Sequence, residues 1–203
     1  MKKTLVVVIV LAAIILIARP FFCNSRKDDK SAVGTVEEKQ QPISIANNSD
    51  SFNQSFTQLI NAYIDLKDAL VASDAAKATA AAQTLRTAAD SLKVNEIKGD
   101  STGVIKETAL TYTSTITGSA QALVAEKDIE GKRKEFGNIA DAMWTLTRTV
   151  RYSGKKLYWE YCPMAFNNQG AYWISYERDI KNPYFGSKMM TCGSVEDSID
   201  YSK

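Results

Sequence analysis

Between residues 51 and 152 the chain contains four stretches in which apolar side chains recur three and four positions apart. This spacing puts them on one face of a helix, so each stretch predicts an amphipathic helix. The four stretches cover residues 52–70, 75–94, 104–126 and 129–150. N-capping side chains are available before three of them: Asn48, Ser49 and Asp50 before the first, Ser73 and Asp74 before the second, and Asp128 before the fourth. Four such helices joined by short turns favour an all-α fold, an up-and-down four-helix bundle over residues 51–152.

The segment after the fourth helix has a different composition. Aromatic side chains crowd into residues 153–203, together with prolines and glycines that interrupt regular structure. We expect this segment to be an irregular, aromatic-rich tail whose rings pack on the bundle. The aromatic residues concerned are Tyr158, Trp159, Tyr161, Tyr172, Trp173, Tyr176 and Tyr184.

The N-terminus has the layout of an export signal. Lys2 and Lys3 precede an apolar run over residues 5–18, which closes with an arginine and a proline. No small-x-small cleavage site follows the run, so residues 1–22 are interpreted as a signal that remains as a membrane anchor. The alternative is a lipoprotein tethered through a lipidated Cys23. Either reading places the rest of the chain in the cell envelope, facing the periplasm.

Residues 23–50 separate this anchor from the predicted bundle. They are polar, mixed in charge and poor in large apolar side chains, so they bury too little surface to fold. We interpret them as a disordered linker that holds the domain away from the bilayer.

The charge of the chain limits the kinds of partner that it can bind. The formal net charge is +2, and without Lys2, Lys3 and Arg19 the chain has 22 basic and 23 acidic residues. Binding to nucleic acid needs a basic stripe, so nucleic acid is excluded as a partner. The densest basic cluster, which begins at Lys132 and ends at Lys134, is interpreted as a solvated helix face.

The chain contains no histidine. This excludes the usual Ser-His-Asp and Cys-His nucleophile systems and the histidine-rich sites of catalytic zinc. No glycine-rich phosphate loop is present either. The sequence therefore favours a binding protein over an enzyme.

Sulfur is concentrated in the tail. Two of the three cysteines and three of the five methionines of the chain lie there. Thiolates and thioethers are soft ligands, and without imidazole they favour Cu(I) or Ag(I) over hard cations. The candidate metal ligands are Cys162, Met164, Met189, Met190 and Cys192.

The motifs around these residues resemble a known family. The matching segments are residues 161–166 (YCPMAF), 168–173 (NQGAYW) and 180–186 (IKNPYFG), with Met189 and Cys192 beyond them. They resemble the bacterial domain-of-unknown-function family numbered three-three-four-seven. Members stand alone as exported proteins or are appended to periplasmic adaptor subunits of heavy-metal efflux pumps. The resemblance implies a role in copper or silver handling, with an efflux adaptor as partner.

A second interpretation of the two cysteines stays open. Thiols of exported proteins meet an oxidising compartment, so Cys162 and Cys192 are also candidates for a structural disulfide. The tail would then be a disulfide-stabilised module that docks on another envelope protein. In that case the methionines fill the core and bind no metal.

Overall fold

The structure, a computed structural model, describes residues 48–202, and its core consists of four long helices. They are α1 (Asp50–Val71), α2 (Ala75–Asp90), α3 (Val104–Ala125) and α4 (Ile129–Val150). Each helix packs mainly against the next one in sequence, and α1 also contacts α4. The predicted helical core is confirmed.

Three of the helices begin at the predicted caps. The side chains of Ser49, Asp74 and Asp128 accept hydrogen bonds from backbone N–H groups in the first turns of α1, α2 and α4. Such a cap satisfies one of the N–H groups that a helix start leaves without a partner. The local sequence therefore determines where these helices begin.

Helix α2 ends four residues before the predicted Val94. The Ser91 hydroxyl bonds back to the Thr87 carbonyl, and a 3₁₀ turn follows at Val94–Glu96. Leu92 and Val94 are both buried although they are only two positions apart. A helix would point these two side chains in different directions, so burying both of them favours the turn.

The interior combines large rings from α1 and α4 with small residues from α2. Ala78 and Ala82 of α2 are fully buried, which lets the neighbouring helices approach closely. The largest fully buried side chains of the bundle are Phe52, Phe56, Leu59, Ile60, Tyr63, Leu66, Leu70, Leu85, Ile116, Leu123 and Phe136.

The segment after α4 is a small antiparallel sheet, so the expectation of an all-α fold with an irregular tail was wrong here. The strands are β1 (Leu157–Cys162), β2 (Ala171–Ser175) and β3 (Ser194–Ile199), in the order β2-β1-β3. β1 is rich in aromatic residues, which favour strands. Four of its six residues are buried, which hides the alternating pattern that usually indicates a strand.

The outer edge of β2 is covered by tyrosine hydroxyls. Tyr63 of α1 accepts a hydrogen bond from the Ile174 N–H at 3.0 Å, and the Tyr184 hydroxyl donates to the Tyr172 carbonyl. These bonds satisfy backbone groups that a free sheet edge would leave exposed. They also position the sheet against the helices.

The basic cluster at the start of α4 is not a solvated face. Lys132 and Arg133 are each only 2% exposed, whereas Lys134 is exposed. The Lys132 ammonium donates to two carbonyls at the end of α3, and Arg133 donates to the Pro183 carbonyl at 2.8 Å and to the Ser73 hydroxyl at 2.9 Å. Their apolar stems are buried while their charged ends find backbone partners, which the sequence does not reveal.

No helix within residues 48–202 is long and apolar enough to cross a membrane. The predicted anchor, Cys23 and nearly all of the predicted linker lie outside the described residues. The folded part already includes Asn48, whose side-chain amide donates to the Val150 carbonyl at 2.8 Å.

Candidate metal-binding site

Two cysteine side chains from distant parts of the tail meet at one end of the sheet. The Sγ atoms of Cys162, the last residue of β1, and Cys192, just before β3, are 3.3 Å apart. Both are free thiols. Cys162 is fully buried and Cys192 is partly exposed, so one side of the pair can be reached from solvent.

Asn182 holds the second cysteine in place. This side chain is fully buried, and its amide donates to the Cys192 carbonyl at 2.7 Å. Its oxygen accepts from the backbone N–H groups of Tyr184 and Phe185. Its own backbone N–H donates to the Met190 carbonyl at 2.9 Å. The asparagine therefore joins the turn at residues 182–185 to the segment that carries Cys192.

Gly193 allows this segment to approach β1. Its φ is +148°, and an added Cβ would lie 2.7 Å from the Tyr161 carbonyl oxygen and 3.0 Å from the Trp173 ring. A side chain at this position would push Cys192 away from Cys162.

The predicted methionine ligands lie close to the two cysteines in the sequence. Met164 follows Cys162 by two residues, and its side chain is 45% exposed. Met189 and Met190 are partly buried, and the Met189 carbonyl accepts a hydrogen bond from the Cys192 N–H at 3.1 Å. The structure thus brings the two cysteines into direct contact and ties Met189 and Met190 to the site through the backbone.

Proximity to Cys162 makes the Cys192 thiol less acidic. Contact with Cys162, together with burial, raises the pKa of the Cys192 thiol above its ordinary 9.0. Among residues 48–202 no group of three or more His, Cys, Asp and Glu side chains could hold a metal ion. A metal at this site would therefore rest on two thiolates completed by thioethers.

The sulfur separation is compatible with two chemistries. A disulfide requires an S–S bond of about 2.0 Å, which needs the thiols to move together by about 1.3 Å. A tetrahedral metal with sulfur bonds of about 2.3 Å, the length found for zinc, requires sulfurs about 3.8 Å apart. The observed 3.3 Å lies between these distances.

Sequence reasoning missed a buried carboxyl next to this site. Glu160 of β1 is fully buried, and within the described chain neither of its oxygens has a hydrogen-bond partner. Burial raises the pKa of this carboxyl from 4.5 to about 7, although the nearby Lys67 ammonium opposes the shift. The available signal was a glutamate among the aromatic residues of a strand, LYWEYC.

The fold and the site together define a class: a four-helix domain that carries a three-stranded sheet and a pair of adjacent free thiols. The model of a family described as "Protein of unknown function (DUF3347)" matches residues 59–155. The helical core therefore matches this family, and the resemblance inferred from the sequence is confirmed for residues 59–155. The match ends before β1, so the sulfur-rich segment lies outside it. No curated protein and no solved structure matches the chain.

Proposed function

We propose that this protein binds one Cu(I) or Ag(I) ion between Cys162 and Cys192 and passes it to a heavy-metal efflux adaptor in the cell envelope. The observation that supports it is the contact of two free thiols at 3.3 Å in a chain without histidine. The domain is an up-and-down bundle tethered by the N-terminal segment and facing the periplasm, and it acts by binding rather than catalysis.

The ligand set suits capture followed by release. Binding to the two thiols expels protons, so the affinity for metal falls as the pH is lowered. Met164 is the exposed thioether, so an incoming or departing ion exchanges ligands at this residue. Either Met189 or Met190 completes the site, because two adjacent residues rarely point to the same centre. Soft thioether ligands keep the selectivity for monovalent copper or silver.

A second candidate function rests on the same distance. Oxidation of Cys162 and Cys192 would form a disulfide that closes a loop of about 30 residues and stabilises the fold by about 3–4 kcal/mol. This disulfide would link the end of β1 to the segment that leads into β3. The protein would then be a disulfide-stabilised interaction module of the envelope.

One experiment separates the two candidates. Free thiols are counted by alkylation and mass measurement on the purified full-length protein, and the reduced protein is then titrated with Cu(I) anaerobically against a chelator. We expect one tightly bound Cu(I), with most of the affinity lost in Cys162→Ser and in Cys192→Ser. Met164→Leu should weaken binding more modestly, because leucine keeps the volume but removes the thioether.

Met143→Leu is the matched control, since Met143 is fully buried in α4 and is not one of the predicted ligands. It should leave the affinity for Cu(I) unchanged. The metal proposal fails if the protein is isolated fully oxidised, ignores Cu(I) after reduction, and each serine variant only unfolds at a lower temperature. That outcome would support the disulfide.

A further inference from the structure

A cleft of about 620 Å³ opens between α4 and the turn that joins β1 to β2. One wall is the outer face of α4, and the other is formed by residues 166–172. This volume lies within the range of sites for small organic ligands. The cleft lining contains none of the five sulfur ligands named above, so it is a separate feature of the molecule.

Two opposite charges mark the ends of the helical wall. Lys134 and Asp141 both line the cleft and are seven positions apart on α4. Two helical turns place them on one face, about 10 Å apart along the axis. Within residues 48–202 neither side chain has an ion-pair partner. Partial loss of water around the Asp141 carboxyl raises its pKa.

Gly137 lies between the two charges on α4 and has no side chain that projects from the helix into the cleft. A glycine inside a helix is unfavourable relative to alanine. Packing does not require it here, because an added Cβ would meet the Phe166 ring at 3.5 Å, which is ordinary contact. The glycine thus lets the Phe166 ring lie close to the helix, where it forms the apolar part of the cleft.

The backbone of the opposite wall adopts an unfavourable conformation. Phe166, Asn167 and Asn168 have φ of 51°, 58° and 65°, a left-handed conformation that is unusual for three consecutive non-glycine residues. Strain of this kind concentrates at binding sites. Asn167 and Gln169, both exposed, line the space together with the Phe166 and Tyr172 rings.

We propose that this cleft binds short unblocked peptides of about three residues. The carboxylate of the peptide pairs with Lys134 and its ammonium pairs with Asp141. An extended chain spans about 3.4 Å per residue, so three residues match the distance of about 10 Å between the two charges. The side-chain amides of Asn167 and Gln169 hydrogen-bond to the peptide groups, and the aromatic rings contact its side chains.

The test is calorimetric titration of the full-length protein in detergent with trialanine. We expect trialanine to bind, and we expect the N-acetylated or C-amidated forms to bind about fivefold more weakly, as the loss of one exposed ion pair implies. Lys134→Met should weaken the binding of trialanine about fivefold but leave the binding of its C-amide unchanged. Asp141→Asn should likewise weaken the binding of trialanine but leave the binding of its N-acetyl form unchanged.

Two variants act as controls. Lys127→Met removes an exposed lysine outside the cleft and should leave binding unchanged. Gly137→Ala should raise the melting temperature through helix propensity while weakening trialanine, a combination that a purely structural glycine would not produce. The proposal is overturned if trialanine does not bind at millimolar concentration or if the capped peptides bind equally well. It is also overturned if maltotriose, a neutral sugar of three units, binds in place of trialanine.

Discussion

At the scale of single residues, the buried carboxyl of Glu160 is the least expected feature. It is fully buried beside Trp173, whose indole N–H falls short of regular hydrogen-bond geometry but still favours the ionised carboxylate. Lys67 favours the ionised form more strongly, whereas the carboxylates of Glu177 and Asp179 disfavour it. Because burial is the largest of these effects, the carboxyl is protonated below about pH 7.

This carboxyl should make stability fall as the pH rises. The pKa of Glu160 is about 7 in the folded protein and 4.5 ordinarily, so between these values the folded state holds the extra proton. The penalty accumulates from pH 4.5 upward and reaches up to about 3 kcal/mol above pH 7. We therefore expect Glu160→Gln to flatten the dependence of the free energy of unfolding on pH, measured with urea at pH 5 and pH 8.

Glu107→Gln is the matched control for this measurement. Glu107 is an exposed carboxylate in the first turn of α3, whereas the charges that act on Glu160 are those of Lys67, Glu177 and Asp179. This control should keep the wild-type slope between pH 5 and pH 8. An unchanged slope in Glu160→Gln would show that another group titrates in this range.

At the scale of elements, α3 needs support from its neighbours, because five of its 22 residues are threonine, more than in any of the other three long helices. Threonines are frequent in it, and the hydroxyls of Thr111, Thr113 and Thr115 bond back to carbonyls of the preceding turn. Such residues are weak helix formers. The ammonium of Lys132, which donates to the Leu123 and Glu126 carbonyls, stabilises the end of this helix.

Removal of this ammonium should destabilise the bundle. Lys132→Met keeps the apolar stem but leaves the two carbonyls without their charged donor, so we expect a loss of about 2 kcal/mol in the free energy of unfolding. Lys134→Met, two positions away and exposed, should change stability by no more than about 0.5 kcal/mol. Urea unfolding measures both, and equal effects of the two substitutions would contradict the capping role.

At the scale of the whole molecule, stacked rings join the sheet to the helices. Trp144 of α4, Trp159 of β1 and Tyr172 of β2 form a column with centroid separations of 4.8 and 4.9 Å and nearly parallel planes. Rings in such contact contribute beyond the area that they bury. The sheet is therefore part of the folded core rather than a loose appendage.

The folded part should not need the N-terminal segment. We expect a chain lacking residues 1–30 to leave the membrane fraction and to keep a mainly helical circular dichroism spectrum, because the described core begins only at Asn48. In the full chain, Cys23→Ala distinguishes the two tethers, since release by this substitution alone indicates lipidation. A deletion variant that stays with the membrane would contradict an N-terminal tether.

The sequence by itself determined the helical core, since apolar spacing and capping residues such as Asp74 and Asp128 act within a few residues of one another. It also indicated that Cys162 and Cys192 belong together, although only the tertiary structure determined their separation. The sheet could not be predicted, because β1 is buried on both faces and its pairing joins residues far apart in the chain. The same reason applies to Lys132 and Glu160: the cost of burying a charge depends on the surrounding atoms, and those are brought together only by folding.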